Sequence, residues 1–426
     1  MAEPLDRLAR SLYETNLIRH FDHLFQDCPD LHMKDMTVEE IGPDRRVKIQ
    51  GAWVVNFGSD SFLGLDQDER LREAVRSGVD RWGTHNGTSR AFASVASNAA
   101  AERKLADWMR AECALIYASA TLANLGALPA LVTRRDVVVY DQYAHNSVQQ
   151  AAKLCRAGGA KTAAFAHNDA DDLQRVLHEL RPYRHAVVAC DGVYSMSGDL
   201  PPLARFREIA RGNDAVLYVD DAHGTGVIGQ QGRGTVLDAL GDYDNTLVVG
   251  SLSKALSCLG GFVICPEQML LLLKLRSAPL IFGGPVAPAY LDAICVAVDI
   301  LASDEYALLR GRLDANMQQF LDGMCAAGVP VIGGIGAIAS VPIGDTMDTL
   351  TAGHDLFERG YYVQSVIFPA VPHHGGLLRV QINANHTRAA IAGLVDAFAQ
   401  LSAANDESRQ PTRLRPGSPE PLRQVG

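Results

Sequence analysis

Three side chains in the middle of this chain have the types and spacing for chemistry on an amine. Asp220 closes the apolar run AVLYVDD (215–221), His223 follows it, and Lys254 lies 34 residues beyond Asp220 in GSLSKALSCLGG, among small residues that leave room around its amine. A gap of that size is about one strand–helix–strand unit, ~30 residues, so the acid and the amine can sit at neighbouring strand ends. An amine can form a Schiff base with a carbonyl cofactor. A carboxylate can keep a pyridine nitrogen protonated, so that the ring accepts a carbanion's electrons. Those are the needs of a pyridoxal cofactor. Spacing alone leaves a plainer reading open, a surface lysine beside a capping serine. The glycines at 224, 226 and 229 formally match a dinucleotide fingerprint. That motif works by opening a helix toward a pyrophosphate, and here the chain continues QQGRG, too rich in glycine to start one.

A cofactor phosphate needs backbone N–H groups, best supplied at a helix N-terminus. ALIYASATLANLGALPAL (114–131) offers a strand-like start and then Ser119-Ala120-Thr121 opening a helix, where Ser119 or Thr121 is equally a plain cap. The runs DVVVYD (136–141), AVVACD (186–191), AVLYVDD and NTLVVGS (245–251) are separated by helical patterns. Continuous apolar runs of this length fit strands buried on both faces, as in a parallel sheet with helical crossovers. Chemistry in such sheets collects beyond the carboxyl ends of the strands, where Asp141, Asp191, Asp220 and Ser251 all fall. The expectation is an α/β chain with four parts: a helical N-terminal segment (1–50, with one amphipathic helix over 4–25), a large domain with a mainly parallel sheet (51–286), a smaller α+β C-terminal domain (287–402, with a last helix from Thr387), and a disordered tail (403–426).

Composition narrows the partners. With 39 basic and 49 acidic residues the net charge is −10, which disfavours nucleic acid and anionic membranes. The eight cysteines show neither a CxxC nor a Cys/His spacing, so neither a disulfide framework nor a zinc site is supported. No secretory pattern opens the chain and no uncharged apolar stretch of membrane-spanning length occurs; the expected location is cytoplasmic.

From about Val54 to the helix after Thr387 the chain resembles the α-oxoamine synthase family of fold-type I pyridoxal-phosphate (PLP) transferases. The resemblance is carried, in order, by NFGSDSFLGL, GTHNGTSR, SATLAN, YDQYAHNS, DGVYSMSGDLPPL, VDDAHGTGVIGQQGRG, GSLSKALSCLGG, FPAVP and LLRVQINANHT. It implies that Lys254 carries PLP and moves the α-proton, that Asp220 pairs with the ring nitrogen, and that His223 bonds the ring oxygen. His145 would stack on the ring and Ser195 would add a polar contact. The Ala120 and Thr121 amides with the Ser251 hydroxyl would bind phosphate, and Asp191 would support the site from behind. Arg379 would hold an amino-acid carboxylate, with Asp60 and Ser89 near the substrates. The implied reaction is a decarboxylative condensation of a small amino acid with an acyl thioester, on coenzyme A or an acyl carrier protein, in a homodimer. Another PLP reaction, transamination or aldol cleavage, is the alternative, and a dinucleotide oxidoreductase a weaker one. Three positions depart from the family pattern: Ala120-Thr121 where relatives carry an aromatic, Asp60 where they carry asparagine, and Gly283-Gly284 where they carry a Ser/Thr-rich segment.

Overall fold

The continuous apolar runs resolve into the central layer of a layered fold. The computed structural model describes residues 3–27 and 36–408. Seven strands form the central sheet in the order Cys113–Tyr117, Gly261–Cys265, Thr246–Ser251, Ala215–Asp220, Ala186–Asp191, Val137–Asp141, Lys161–Phe165. Gly261–Cys265 runs antiparallel to both neighbours; the other pairings are parallel. Side chains alternate between faces along each strand. Val139, Val188, Leu217, Val219 and Val248 therefore pack on one side with helices Ala96–Met109, Leu203–Gly212 and Pro288–Ala302. Val138, Val187, Tyr218 and Val249 pack on the other with helices Ala120–Leu131 and Asn146–Ala157. Burial on both faces is why these strands read as unbroken apolar runs.

Beyond residue 286 two long helices, Pro288–Ala302 and Glu305–Ala326, lead to a four-stranded antiparallel sheet ordered Ile332–Gly333, Ile338–Gly344, Gly376–Gln381, Gln364–Val366. The last helix is Arg388–Ser408, opened by Thr387, whose hydroxyl accepts the Ala390 amide at 3.1 Å. It runs past the boundary expected at 402, to Ser408; the remainder of the expected tail, 409–426, lies outside the described residues.

The N-terminal segment differs from expectation in two ways. Its helix is two helices, Pro4–Tyr13 and Asn16–Asp27, separated where the Thr15 hydroxyl turns back onto the Leu12 carbonyl at 2.7 Å. Residues 38–49 are not helical: Val38–Ile41 and Arg46–Ile49 pair antiparallel and continue onto Ala52–Asn56. Buried Val47 and Ile49 alternate with Arg46 and Lys48, a period of two that suits a one-sided sheet. A strand from the C-terminal part, Tyr361–Tyr362, adds to this sheet in parallel.

Candidate active site

The carboxyl ends of the central strands converge as the strand-end rule requires. Asp191 and Asp220 are register partners on adjacent strands, and Ser251 lies two residues beyond Val249, the partner of Asp220. Asp220 is 4% exposed. Its Oδ2 accepts from Asn124 Nδ2 at 2.5 Å, and Oδ1 from the Ala222 amide at 3.2 Å. Asn124 sits on the helix Ala120–Leu131 and is fixed in turn by the Tyr218 hydroxyl, which donates to its Oδ1 at 2.9 Å. The same amide nitrogen reaches Ser147 Oγ at 2.8 Å, and Ser147 meets His145 Nδ1 at 2.7 Å. Acid and imidazole are thus joined by one hydrogen-bonded chain. The His145 backbone amide donates to Asp191 Oδ1 at 2.9 Å. Burial holds the His145 imidazole below its ordinary pKa, partly opposed by Asp220. Burial, reinforced by the neighbouring Asp220, pushes the Asp191 carboxyl well above the usual range.

The next residue, Asp221, anchors the turn that presents His223. It is fully buried and accepts the Thr235 amide and hydroxyl, both at 2.8 Å. Burial raises its pKa to about 7, against the pull of Thr235. A β-carbon on Gly192, Gly224 or Gly234 would come within 2.0–2.1 Å of this carboxylate, so the glycines serve close packing here. After Gly229 the chain makes only a single 3-10 turn, Gln230–Gly232, not the helix a dinucleotide motif needs.

Lys254 stands in the turn between Thr246–Ser251 and Gly261–Cys265, its Nζ 2.7 Å from His223 Nε2 and 3.1 Å from Nδ1. Burial lowers its pKa to about 8, with Asp60 and Asp220 opposing. His223 is driven well below 6.5 by burial and by the adjacent Lys254 and Arg379, so it meets the lysine as a neutral ring. Arg379, on the strand Gly376–Gln381, reaches across from the small sheet. Its Nη2 lies 3.4 Å from His223 Nε2 and 3.2 Å from Asp60 Oδ1, and its Nε donates to the Ser195 carbonyl at 2.6 Å.

At the other end of the site the helix Ala120–Leu131 begins with Ser119 as its cap, whose Oγ accepts the Leu122 amide at 3.0 Å. First-turn amides have no partner within a helix and are free for an anion. The opening of this helix is packed against Gly261, where a β-carbon would stand 2.3 Å from the Ala120 nitrogen. Only glycine leaves that amide in place. Ser251 Oγ lies 3.0 Å from Ser253 Oγ on the facing strand end. An amine, a buried carboxylate, two imidazoles and a helix start with first-turn amides to offer make the donor set that PLP requires.

Of the residues singled out in the sequence, Lys254, His223, Arg379, Asp60 and the Ser195 carbonyl are joined by one set of hydrogen bonds, and Asp220, His145 and Asp191 by a second through Asn124 and Ser147; the two sets form one cluster because Asp220 and His223 stand three residues apart on the same turn. Ala120 and Ser251 flank it, and Thr121 is exposed at the helix start. Ser89 makes none of these hydrogen bonds: its hydroxyl is buried with no partner among the described residues. A cavity of about 770 Å³, lined by Asp136, His185, Asn245 and Cys265, opens at the opposite, amino ends of the strands and shares no residue with the cluster.

Reading the sequence missed Asn124, Gln364, Gln381 and His167. His167 bridges Asp141 Oδ1 at 3.0 Å and Asp199 Oδ2 at 2.9 Å, tying the loop that ends in His145 to the loop that carries Ser195. Burial alone would lower its pKa, but the hydrogen bonds and charges of the two carboxylates lift it to about 9. A folded value above the ordinary 6.5 means the charged ring's contribution is complete below pH 6.5 and lost as pH rises through 9. His167→Gln is therefore expected to lower Tm by about 2 °C at pH 6, with the gap closing above pH 9. A gap that widens with pH in thermal melts contradicts the clamp.

The profile for Aminotransferase class I and II matches residues 52–398. The 8-amino-7-oxononanoate synthase of Geobacter sulfurreducens is 36% identical over 357 residues, covering 84% of this chain and 90% of its own length. That of Methylococcus capsulatus is 36% identical over 364 residues, 85% and 92%. The chain belongs to the α-oxoamine synthases. Among solved structures, the serine palmitoyltransferase of Sphingomonas wittichii superposes with a TM-score of 0.87 at 25% identity, over 95% of this chain and 100% of its own. SPT with its PLP internal aldimine gives 0.85 at 26% identity, over 92% and 98%. The α-oxoamine synthase described here is a fold-type I transferase whose cofactor is PLP. It is an acyltransferase for the decarboxylative condensation of an amino acid with an acyl thioester. Among the described residues no helix is long and apolar enough to cross a membrane.

Proposed function

We propose that this synthase joins a small amino acid (glycine, alanine or serine) to an acyl thioester, losing carbon dioxide and the free thiol, to give an α-amino ketone. The observation that carries this is the meeting of Lys254 Nζ, His223 and Arg379 beside the buried Asp220. When bound, PLP supplies an electron sink for charge formed at the amino acid's α-carbon. Lys254 would hold the cofactor and, once released by the incoming amine, take the α-proton; an amine with a pKa of about 8 is largely free base under mildly alkaline conditions. Asp220, locked by Asn124, would keep the ring nitrogen protonated. His223, neutral beside the lysine, would bond the ring oxygen, and His145 would cover a ring face. The Ala120 and Thr121 amides with Ser251 would take the phosphate, and Asp191 would brace the His145 loop. Arg379 would fix the amino-acid carboxylate with its two-pronged donor edge, and Asp60 and Ser89 would stand near the substrates.

The deciding experiment measures carbon dioxide from carboxyl-labelled amino acid. Release is expected only when amino acid and thioester are both present; release from the amino acid alone, or transfer of its amino group to a keto acid, refutes the condensation. Running the assay with coenzyme A and carrier-protein thioesters distinguishes the two donor classes. We propose a cytoplasmic homodimer, tested by sedimentation; an active monomer would refute it. The perturbed lysine gives a further expectation. Attachment of PLP to cofactor-free enzyme needs a neutral amine, so its rate should climb with pH through a midpoint near 8, the Lys254 value. A midpoint near 10.5, the ordinary lysine value, contradicts it.

A further inference from the structure

Every guanidinium nitrogen of Arg379 already has a partner within the chain. Its side chain is 5% exposed. Nε donates to the Ser195 carbonyl at 2.6 Å, Nη1 to Gln364 Oε1 at 2.8 Å, and Nη2 to Asp60 Oδ1 at 3.2 Å. Gln381, fully buried on the same strand, donates its own amide to that Asp60 oxygen. A carboxylate is therefore already seated on this guanidinium, and the chain itself supplies it. Asp60 lies after the strand Ala52–Asn56 and its side chain is 38% exposed. It can swing toward solvent, whereas the arginine, gripped by Ser195 and Gln364, cannot follow.

We propose that Asp60 is a built-in stand-in for the substrate carboxylate: it occupies Arg379 in the resting site, and an amino acid binds by displacing it. This rests on the reading of Arg379 as the carboxylate receptor. A buried guanidinium left unpaired is unfavourable, so an internal partner keeps it paired between turnovers. Two carboxylates crowding one nitrogen repel, so the incoming one gains only the difference between two similar ion pairs. Asp60 then sets the amino-acid concentration the site responds to, and an amine without a carboxylate is indifferent to it.

Visible-spectrum titrations of the holoenzyme with glycine, alanine and serine, and with ethanolamine as the carboxylate-free amine, test this in wild type, Asp60→Asn and Asp60→Ser. Two substitutions cover the chance that one fails to fold. The amide retains an acceptor but not the charge. Amino-acid dissociation constants are expected to fall about 10-fold in the Asn variant, with ethanolamine unchanged. Unchanged or weaker amino-acid binding in both variants overturns the proposal. Equal tightening for ethanolamine overturns it too, because Asp60 would then be acting on the amine. Arg379→Gln separates the two layers. If it leaves amino-acid affinity intact, the carboxylate is held elsewhere and both readings fall. If Arg379 is required but Asp60 has no effect, only the stand-in falls.

Discussion

Lys254→Ala should yield a folded protein that has lost the visible band of lysine-bound PLP and all measurable condensation. Among the described residues the side chain's hydrogen bonds are to His223 alone, and it stands in a turn outside the regular strands, so removal leaves the sheet untouched. Nothing nearby can take over. His223 is 2.7 Å away but is held well below its ordinary pKa by burial and its cationic neighbours, and an imidazole forms no lasting bond with an aldehyde. Loss of a positioned base alone removes about 10²–10⁴-fold in rate, before loss of the covalent tether is counted. Absorbance and carbon dioxide release are the two readouts. A variant that stays yellow and turns over would end the assignment of Lys254.

The second large effect is expected at Asp220. Asp220→Asn keeps size and an acceptor for Asn124 Nδ2, which now sits 2.5 Å from the carboxylate, but removes the charge that would keep the ring nitrogen protonated. Removing one preorganised electrostatic group from a water-poor site costs about 10²–10³-fold in kcat. The loss should persist at saturating PLP and amino acid, placing it in kcat rather than in KM. A kcat within a few-fold of wild type, or a defect cured by more cofactor, would show that the carboxylate serves only to pack the turn.

Much of this architecture is visible in the sequence because its cause is local. Strands at 137–141, 186–191, 215–220 and 246–251 are buried on both faces, so their interiors are almost wholly apolar, and the polar residues ending the last three, Asp191, Asp220 and Ser251, fall in or beside the cluster. Lys161–Phe165 escapes the same reading because it is the sheet's edge, largely exposed, and KTAAF carries a single β-branched residue. The hairpin before Ala52 was hidden by short strands rich in charge. Partnerships are harder still. His167 finds its carboxylates 26 and 32 residues away, and Arg379 finds Asp60 across 319; no period or spacing reports such pairings. Asn124 lay inside a segment already singled out, yet its role depends on a helix face meeting Tyr218 and Asp220, which only the packed sheet reveals.

The one strand that reverses direction in the central sheet has a mechanical consequence. Thr246–Ser251 and Gly261–Cys265 close into a hairpin at the pair Ser251–Gly261, and Lys254 rides on its nine-residue tip, 252–260, which is pinched shut where the Leu252 amide meets the Gly260 carbonyl at 3.0 Å. Gly261 is also the surface on which the start of the helix Ala120–Leu131 rests. Under the roles proposed above, a single loop would work as a calliper, with the amine that would anchor the cofactor on one jaw and the amides that would seat its phosphate on the other. Its length in residues sets the span of molecule that can be gripped at both ends, so inserting one residue at the tip would mis-size the grip while every individual side chain remained.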